Sequence, residues 1–180
     1  MGVPHIPGAV AVLAASCLLG GGAWAQATAR PRAPVHPGRN VEEFPPIDAR
    51  FLRFTIDRTT TGAQPCLDEL EVYGPEDPER NLALAANGTR ARASGTLPGY
   101  RIHALPNIND GLYGNGHSWI SDTPGQGWVE LEFPAPVRLH RVVWSRDRER
   151  KFIDRLATEY RIETAVEAGG WRAAATSADR

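Results

Sequence analysis

The stretch from Asn107 to Ser121, Asn-Ile-Asn-Asp-Gly-Leu-Tyr-Gly-Asn-Gly-His-Ser-Trp-Ile-Ser, concentrates the polar chemistry of this chain. Gly111, Gly114 and Gly116 admit backbone angles that other residues avoid. Asn and Asp side chains bond back to nearby amides. Together these features predict a tight, ordered loop. The oxygens of Asn107, Asn109, Asp110, Asn115 and Ser118, with backbone carbonyls, are the donors a hard cation such as calcium takes. The same residue types also cap turns in metal-free loops, with Trp119 filling the core beneath. Oxygen density alone leaves both readings open.

A sugar site needs an aromatic platform and polar forks carried on loops. Tyr100, His103, Tyr113 and His117 are the loop candidates, and Arg148 and Arg155 belong to a second polar segment that begins Arg146-Asp-Arg-Glu-Arg-Lys151. The simpler reading of that segment is a solvated loop whose arginines pair with Asp147, Glu149 and Asp154, each pair contributing little. Trp119, Trp128, Trp144 and Trp171 read as core or partly buried strand residues rather than sugar platforms. Ser, His and Asp all occur, but no G-x-S-x-G elbow, HExxH helix or Walker loop accompanies them. The expectation is a non-catalytic protein.

The elements that position these residues follow from composition and periodicity. The chain has 180 residues and a formal net charge of -1. That length supports one domain with a real core. The charge gives no reason to expect a nucleic-acid partner. Ala9 to Gly22 is apolar and small, and Ala23-Trp24-Ala25 follows it. This fits a signal peptide over residues 1–25, cleaved before Gln26, and predicts export to the periplasm, cell surface or exterior. No apolar run long enough to span a bilayer remains after its removal. Cys66 would then be the sole cysteine, expected as a small buried hydrophobe. Residues 26–46 carry closely spaced prolines without periodicity and are expected to form an extended linker.

From Ile47 onward the pattern has period two. Leu52, Phe54 and Ile56 alternate with Phe51, Arg53 and Thr55. Leu70 and Val72 alternate with Glu69, Glu71 and Tyr73; Val129, Leu131 and Phe133 with Trp128, Glu130 and Glu132; Tyr160, Ile162, Thr164 and Val166 with Glu159, Arg161 and Glu163. Such strands bury one face and wet the other. Gly- and Pro-rich turn clusters separate them, which predicts an all-β antiparallel sandwich or barrel. Phe152, Ile153, Leu156, Ala157 and Tyr160 also fit a helical stripe, so one or two helical turns could precede the last of these strands.

The ordered series Asn81-Leu-Ala-Leu-Ala, Ala93-Ser-Gly95, Asn109-Asp-Gly111 to Trp119, Gly127-Trp-Val-Glu-Leu-Glu-Phe133, Leu139-His-Arg-Val-Val-Trp144 and Tyr160-Arg-Ile-Glu163 resembles the discoidin domain, also called coagulation factor 5/8 type C. The resemblance covers residues 47–180 and implies a galactose-binding-like jelly roll. The segments resembling the family's last strand pair, Arg50–Ile56 and Cys66–Gly74, come first here. With only linker upstream, this implies a circular permutation, and it requires Glu69–Tyr73 to lie beside Asn81–Ala85. The wider resemblance is to the N-terminal region of large exported bacterial proteins that continue into c-type cytochrome and other domains, which implies that this chain is a piece of such a protein.

The family often holds one calcium ion. Carried over by residue, the resemblance implies Asp110 and Glu69 as metal ligands, with Asp68 in the place of a family serine and Asn115 and Ser118 as further ligands. The Arg148/Arg155 spacing is similar to the paired arginines of fucose-binding lectins of this superfamily. Two functions from different classes follow. One is a calcium-stabilised module for carbohydrate or cell-surface glycans. The other is a docking domain that packs against downstream domains of its own protein. A glycosidase-like use of Asp110 and Glu69 as acid and base conflicts with their sharing a cation.

Overall fold

A computed structural model describes residues 1–2 and 32–180. The signal-peptide reading, and the linker reading up to residue 31, lie outside the described residues. The fold is all-β and antiparallel, built on two long strands, β1 (Asn40–Thr59) and β6 (Gly127–Ser145). They pair from Asn40↔Trp144 to Ala49↔Val137 and again from Phe51↔Glu132 to Ile56↔Gly127. The ladder is interrupted where Pro45 and Pro46 fall in β1, and again where Pro134 and Pro136 fall in β6. Proline has no N–H to donate to a ladder, so it sits at such irregularities, and the strand pair bends there.

The shorter strands are β2 (Cys66–Leu67), β3 (Glu69–Tyr73), β4 (Arg90–Ala93), β5 (Trp119–Ile120), β7 (Ala157–Ala165) and β8 (Arg172–Thr176). β3 pairs with the second half of β6 and β4 with the first half. β7 adds to the second half of β1, and β8 to β7. β2 and β5 form a separate two-stranded ladder. The long pair is thus shared by two leaves, one edged by β3 and the other by β4 and β8. Trp144, on the β3 side, meets Phe54 and Tyr160 of the other leaf at ring separations of 5.2 and 5.1 Å. A single core holds Leu52, Phe54, Leu70, Val72, Val129, Leu131, Val142 and Ile162. This is a β-sandwich, and the alternating positions face inward as their period requires.

The linker expectation needs correction. β1 begins at Asn40, ahead of Ile47, and Val35 packs against the core. Glu42, fully buried, accepts bonds from Tyr160 Oη at 2.5 Å, Arg180 Nη2 at 2.7 Å, Trp144 Nε1 at 3.4 Å and the Arg32 guanidinium. Arg32 N also donates to the Asp179 carbonyl at 2.8 Å. Residues 32–39 are therefore tied to the sandwich by a buried carboxylate rather than hanging from it. The helical turns at 152–160 do not form either. That segment is a series of turns, with Arg150 and Arg155 at φ of 61° and 57°, and β7 starts at Ala157. The Asn81–Ala85 stretch does run beside β3, through a Tyr73↔Asn81 bridge and Leu82 N to Val72 O at 2.7 Å, but not as a strand. Among the described residues, no helix is long and apolar enough to cross a membrane.

Candidate functional site

β3 departs from the simple in–out rule. Leu70 and Val72 enter the core, yet Glu69 and Glu71 on the opposite face are buried as well, and so is Asp68 just before the strand. The cover comes from the Gly/Asn loop and from Arg148. Asp68 accepts Gly114 N at 3.0 Å, Arg148 N at 2.5 Å and the Ser145 hydroxyl. Glu71 accepts Arg148 Nη2 at 2.7 Å and Tyr73 Oη at 2.9 Å. Gly111 and Gly114 have φ of 80° and 93°. Only glycine takes these angles without strain, and here they aim two amides at the carboxylates of β3.

Glu69 is the exception in this row. Its Oε1 accepts Gly111 N at 3.2 Å, but its buried Oε2 has no partner among the described residues. Burial first, and the neighbouring Asp110 carboxylate second, push the Glu69 carboxyl up to about 9. Asp110 closes its own turn by accepting Leu112 N at 2.8 Å through Oδ1, and its Oδ2 lies 3.6 Å from His117 Nδ1. A buried, unpartnered carboxylate oxygen beside a second carboxylate is a position that a proton or a cation must satisfy. Among the described residues, no three His, Cys, Asp or Glu side chains gather into a metal-holding group. A cation here would therefore rest on Glu69, Asp110 and neutral loop oxygens, the donor chemistry of calcium.

Asn115 and Ser118 are committed elsewhere, which removes them from that set. Asn115 Oδ1 accepts Arg146 Nη1 at 2.9 Å. Ser118 Oγ lies 2.7 Å from His103 Nδ1 and donates to Asn115 O at 3.1 Å. The competing partner is Arg146. The solvated-loop reading placed it in water, but only 2% of its side chain is exposed. Besides Asn115, it binds Asp154 Oδ1 and Asp154 O, both at 2.8 Å, and Cys66 Sγ at 3.3 Å. Asp147 is buried too and accepts the amides of Glu149, Lys151 and Phe152. The charge run is thus partly an internal scaffold. Burial pushes the Cys66 thiol up to about 11, the inert buried hydrophobe expected.

Of the sugar candidates, Tyr100, Tyr113 and His117 are exposed, whereas His103 is buried and held below its ordinary value, first by burial and then by Arg146 and Arg155. Arg148 and Arg155 do not form a fork. Arg148 lies over the Tyr113 ring at 4.3 Å and pairs with Glu71, while Arg155 bonds Gln64 Oε1 at 2.6 Å. Four exposed apolar side chains stand on the same loops: Ile102 and Leu112, which the sequence reading passed over, and Phe152 and Ile153, which it placed on a helical stripe. Hydrogen bonds from Ser118 N to Ile102 O, and from Arg146 to both Asn115 and Asp154, join these loops into one rim. For Ile102 and Leu112 the sequence signal was an apolar residue amid turn formers. No protein-family model matches the chain, and no curated protein matches it.

Proposed function

We propose that this chain carries an exported, non-catalytic binding module. In this reading it is a circularly permuted jelly roll of discoidin type, stabilised by calcium, that presents its loop rim to carbohydrate or cell-surface glycans. The carrying observation is the Glu69–Asp110 pair beneath the rim, with one carboxylate oxygen buried and unpartnered. A cation there would fix the Gly/Asn loop that carries Tyr113 and His117. Tyr113, backed by Arg148, supplies an aromatic face with a polar edge, which suits a sugar ring. The Tyr73/Asn81 bridge supports the permuted order. The test is a glycan array probed with the protein in calcium and in EDTA. Selective, saturable binding that weakens in EDTA supports the module; absence of binding in both buffers refutes it.

A second reading has its own observation. Ile102, Leu112, Phe152 and Ile153 make the rim more apolar than a sugar site requires. Such a rim suits docking against another domain of a longer, cytochrome-containing exported protein. Stabilisation of this chain by a downstream fragment, with no glycan bound, would favour it.

A further inference from the structure

The outer face of the β4–β6–β1–β7 leaf carries a groove of about 360 Å³ that shares no residue with the loop rim. Trp128 of β6 forms one wall. Thr55 of β1 lies directly opposite both Trp128 and Arg161 of β7, so the three side chains stand on one face. Thr55 belongs to the groove lining, and among the described residues its buried hydroxyl has no hydrogen-bond partner. Asp57 and Arg161, both half-exposed, pair at 2.7 Å across one side. Ser94 and Gln126 line the other side.

Trp128 is held from elsewhere. The Arg53 guanidinium lies 4.9 Å from its ring centre and 4.2 Å from that of Trp171. Arg53 also bonds Glu130 Oε2 at 2.7 Å. Trp128 lines the groove and Arg53 does not. The result is a braced aromatic surface, a buried hydroxyl that lacks a bond, and a carboxylate–guanidinium pair with both groups facing solvent. Asp57 and Arg161 are the charged residues of the lining, and Arg161 also contacts Glu163 Oε2 at 3.3 Å, so its charge is already met by carboxylates and the groove does not favour an anion.

We propose that this groove is a second ligand site that takes a neutral pyranose unit of a glycan. The sugar's apolar face lies on Trp128. One sugar hydroxyl satisfies Thr55 Oγ1. Two adjacent hydroxyls bridge Asp57, which accepts, and Arg161, which donates. The volume falls at the low end for small-ligand pockets and suits a short piece of chain. This site shares its ligand class with the rim but neither its residues nor its cation.

The test titrates the whole chain calorimetrically with three neutral probes: cellotetraose, mannotetraose and β-1,4-galactotetraose. At least one is expected to bind saturably, with a change in tryptophan fluorescence and no loss in EDTA. Thr55→Val keeps the side-chain shape and removes an unsatisfied group, so it should fold at least as well as wild type. It is expected to weaken binding about five- to tenfold, and Asp57→Asn by a similar factor. Failure of all three probes overturns the proposal, as does binding that is unchanged in both variants. Binding that EDTA or Tyr113→Ala abolishes, and that Thr55→Val leaves intact, belongs to the rim. That result also overturns the groove site while supporting the rim. Binding lost only in Thr55→Val and Asp57→Asn supports the groove and leaves the rim to its own test.

Discussion

Exchanging Glu69 for Gln separates cation binding from packing, because Gln imitates the protonated carboxyl in size and shape. In the wild-type protein without metal, the Glu69 carboxyl titrates near 9, against an ordinary value of 4.5. Between those values the folded state binds a proton that the unfolded state has lost. The stabilising effect of that proton is therefore complete below about pH 4.5 and is lost as pH rises through about 9. In EDTA, stability should fall by at most about 1.4 kcal/mol per pH unit across this window. At 2–4 °C per kcal/mol for a domain of this size, that is roughly 3–5 °C per unit. Calcium replaces the proton. At a hundredfold excess over Kd it adds about 2.7 kcal/mol, or roughly 5–11 °C at neutral pH. Thermal melts from pH 5 to pH 9, in calcium and in EDTA, read both effects. Glu69→Gln should abolish the calcium response and flatten the EDTA slope. Asp110→Asn should abolish the calcium response. Glu71→Gln should destabilise through its lost bond to Arg148 but keep the calcium response. Equal melting temperatures for wild type in the two buffers at pH 7–9 would refute the cation reading, and Asp110 would be an ordinary turn residue.

Three further outcomes test the scaffold. Glu42→Gln leaves the nearly buried Arg180 without its carboxylate, while Arg32 keeps its pair with Asp179, and is expected to cost about 3 kcal/mol by urea denaturation at unchanged m-value. Arg146→Met keeps the stem but loses the bonds to Asn115 and Asp154. Because Asp154 is half-exposed and can turn to water, the cost should be about 2 kcal/mol rather than that of stranding a buried charge. Cys66, fully buried with its thiol pushed up to about 11, should resist a thiol reagent at pH 8 in the folded protein and react on addition of denaturant; rapid native labelling would contradict its burial.

The strands were legible because their inner faces follow one rule: Leu52, Phe54, Ile56, Val129, Leu131 and Phe133 alternate and are all buried. What escaped was set by partners distant in sequence. Pro45 and Pro46 read locally as linker, yet they belong to a strand whose ladder is interrupted there and again at Pro134 and Pro136, about ninety positions away. The stripe from Phe152 to Tyr160 had helical spacing. However, Asp147 binds the amides of Glu149, Lys151 and Phe152 from outside any helix, and Arg150 and Arg155 take angles a helix forbids. Arg146 looked like one charge in a solvated run, because nothing local shows that Asn115 and Cys66 would enclose it.

The same distance effect hid the site. Period two assigned Glu69 and Glu71 to water, whereas a loop and an arginine roughly 40 and 80 positions away cover them. The usable signal was the mismatch itself. Asp68, Glu69 and Glu71 crowd three acids at the start of a very short strand, and such crowding is tolerated only where amides, guanidinium groups, protons or a cation neutralise it. Gly114 N, Arg148 and Ser145 account for Asp68, and Arg148 and Tyr73 for Glu71. Glu69 has Gly111 N for one oxygen and, among the described residues, nothing for the other. The unfilled valence therefore falls on the carboxylate nearest the loop whose oxygen density first stood out in the sequence.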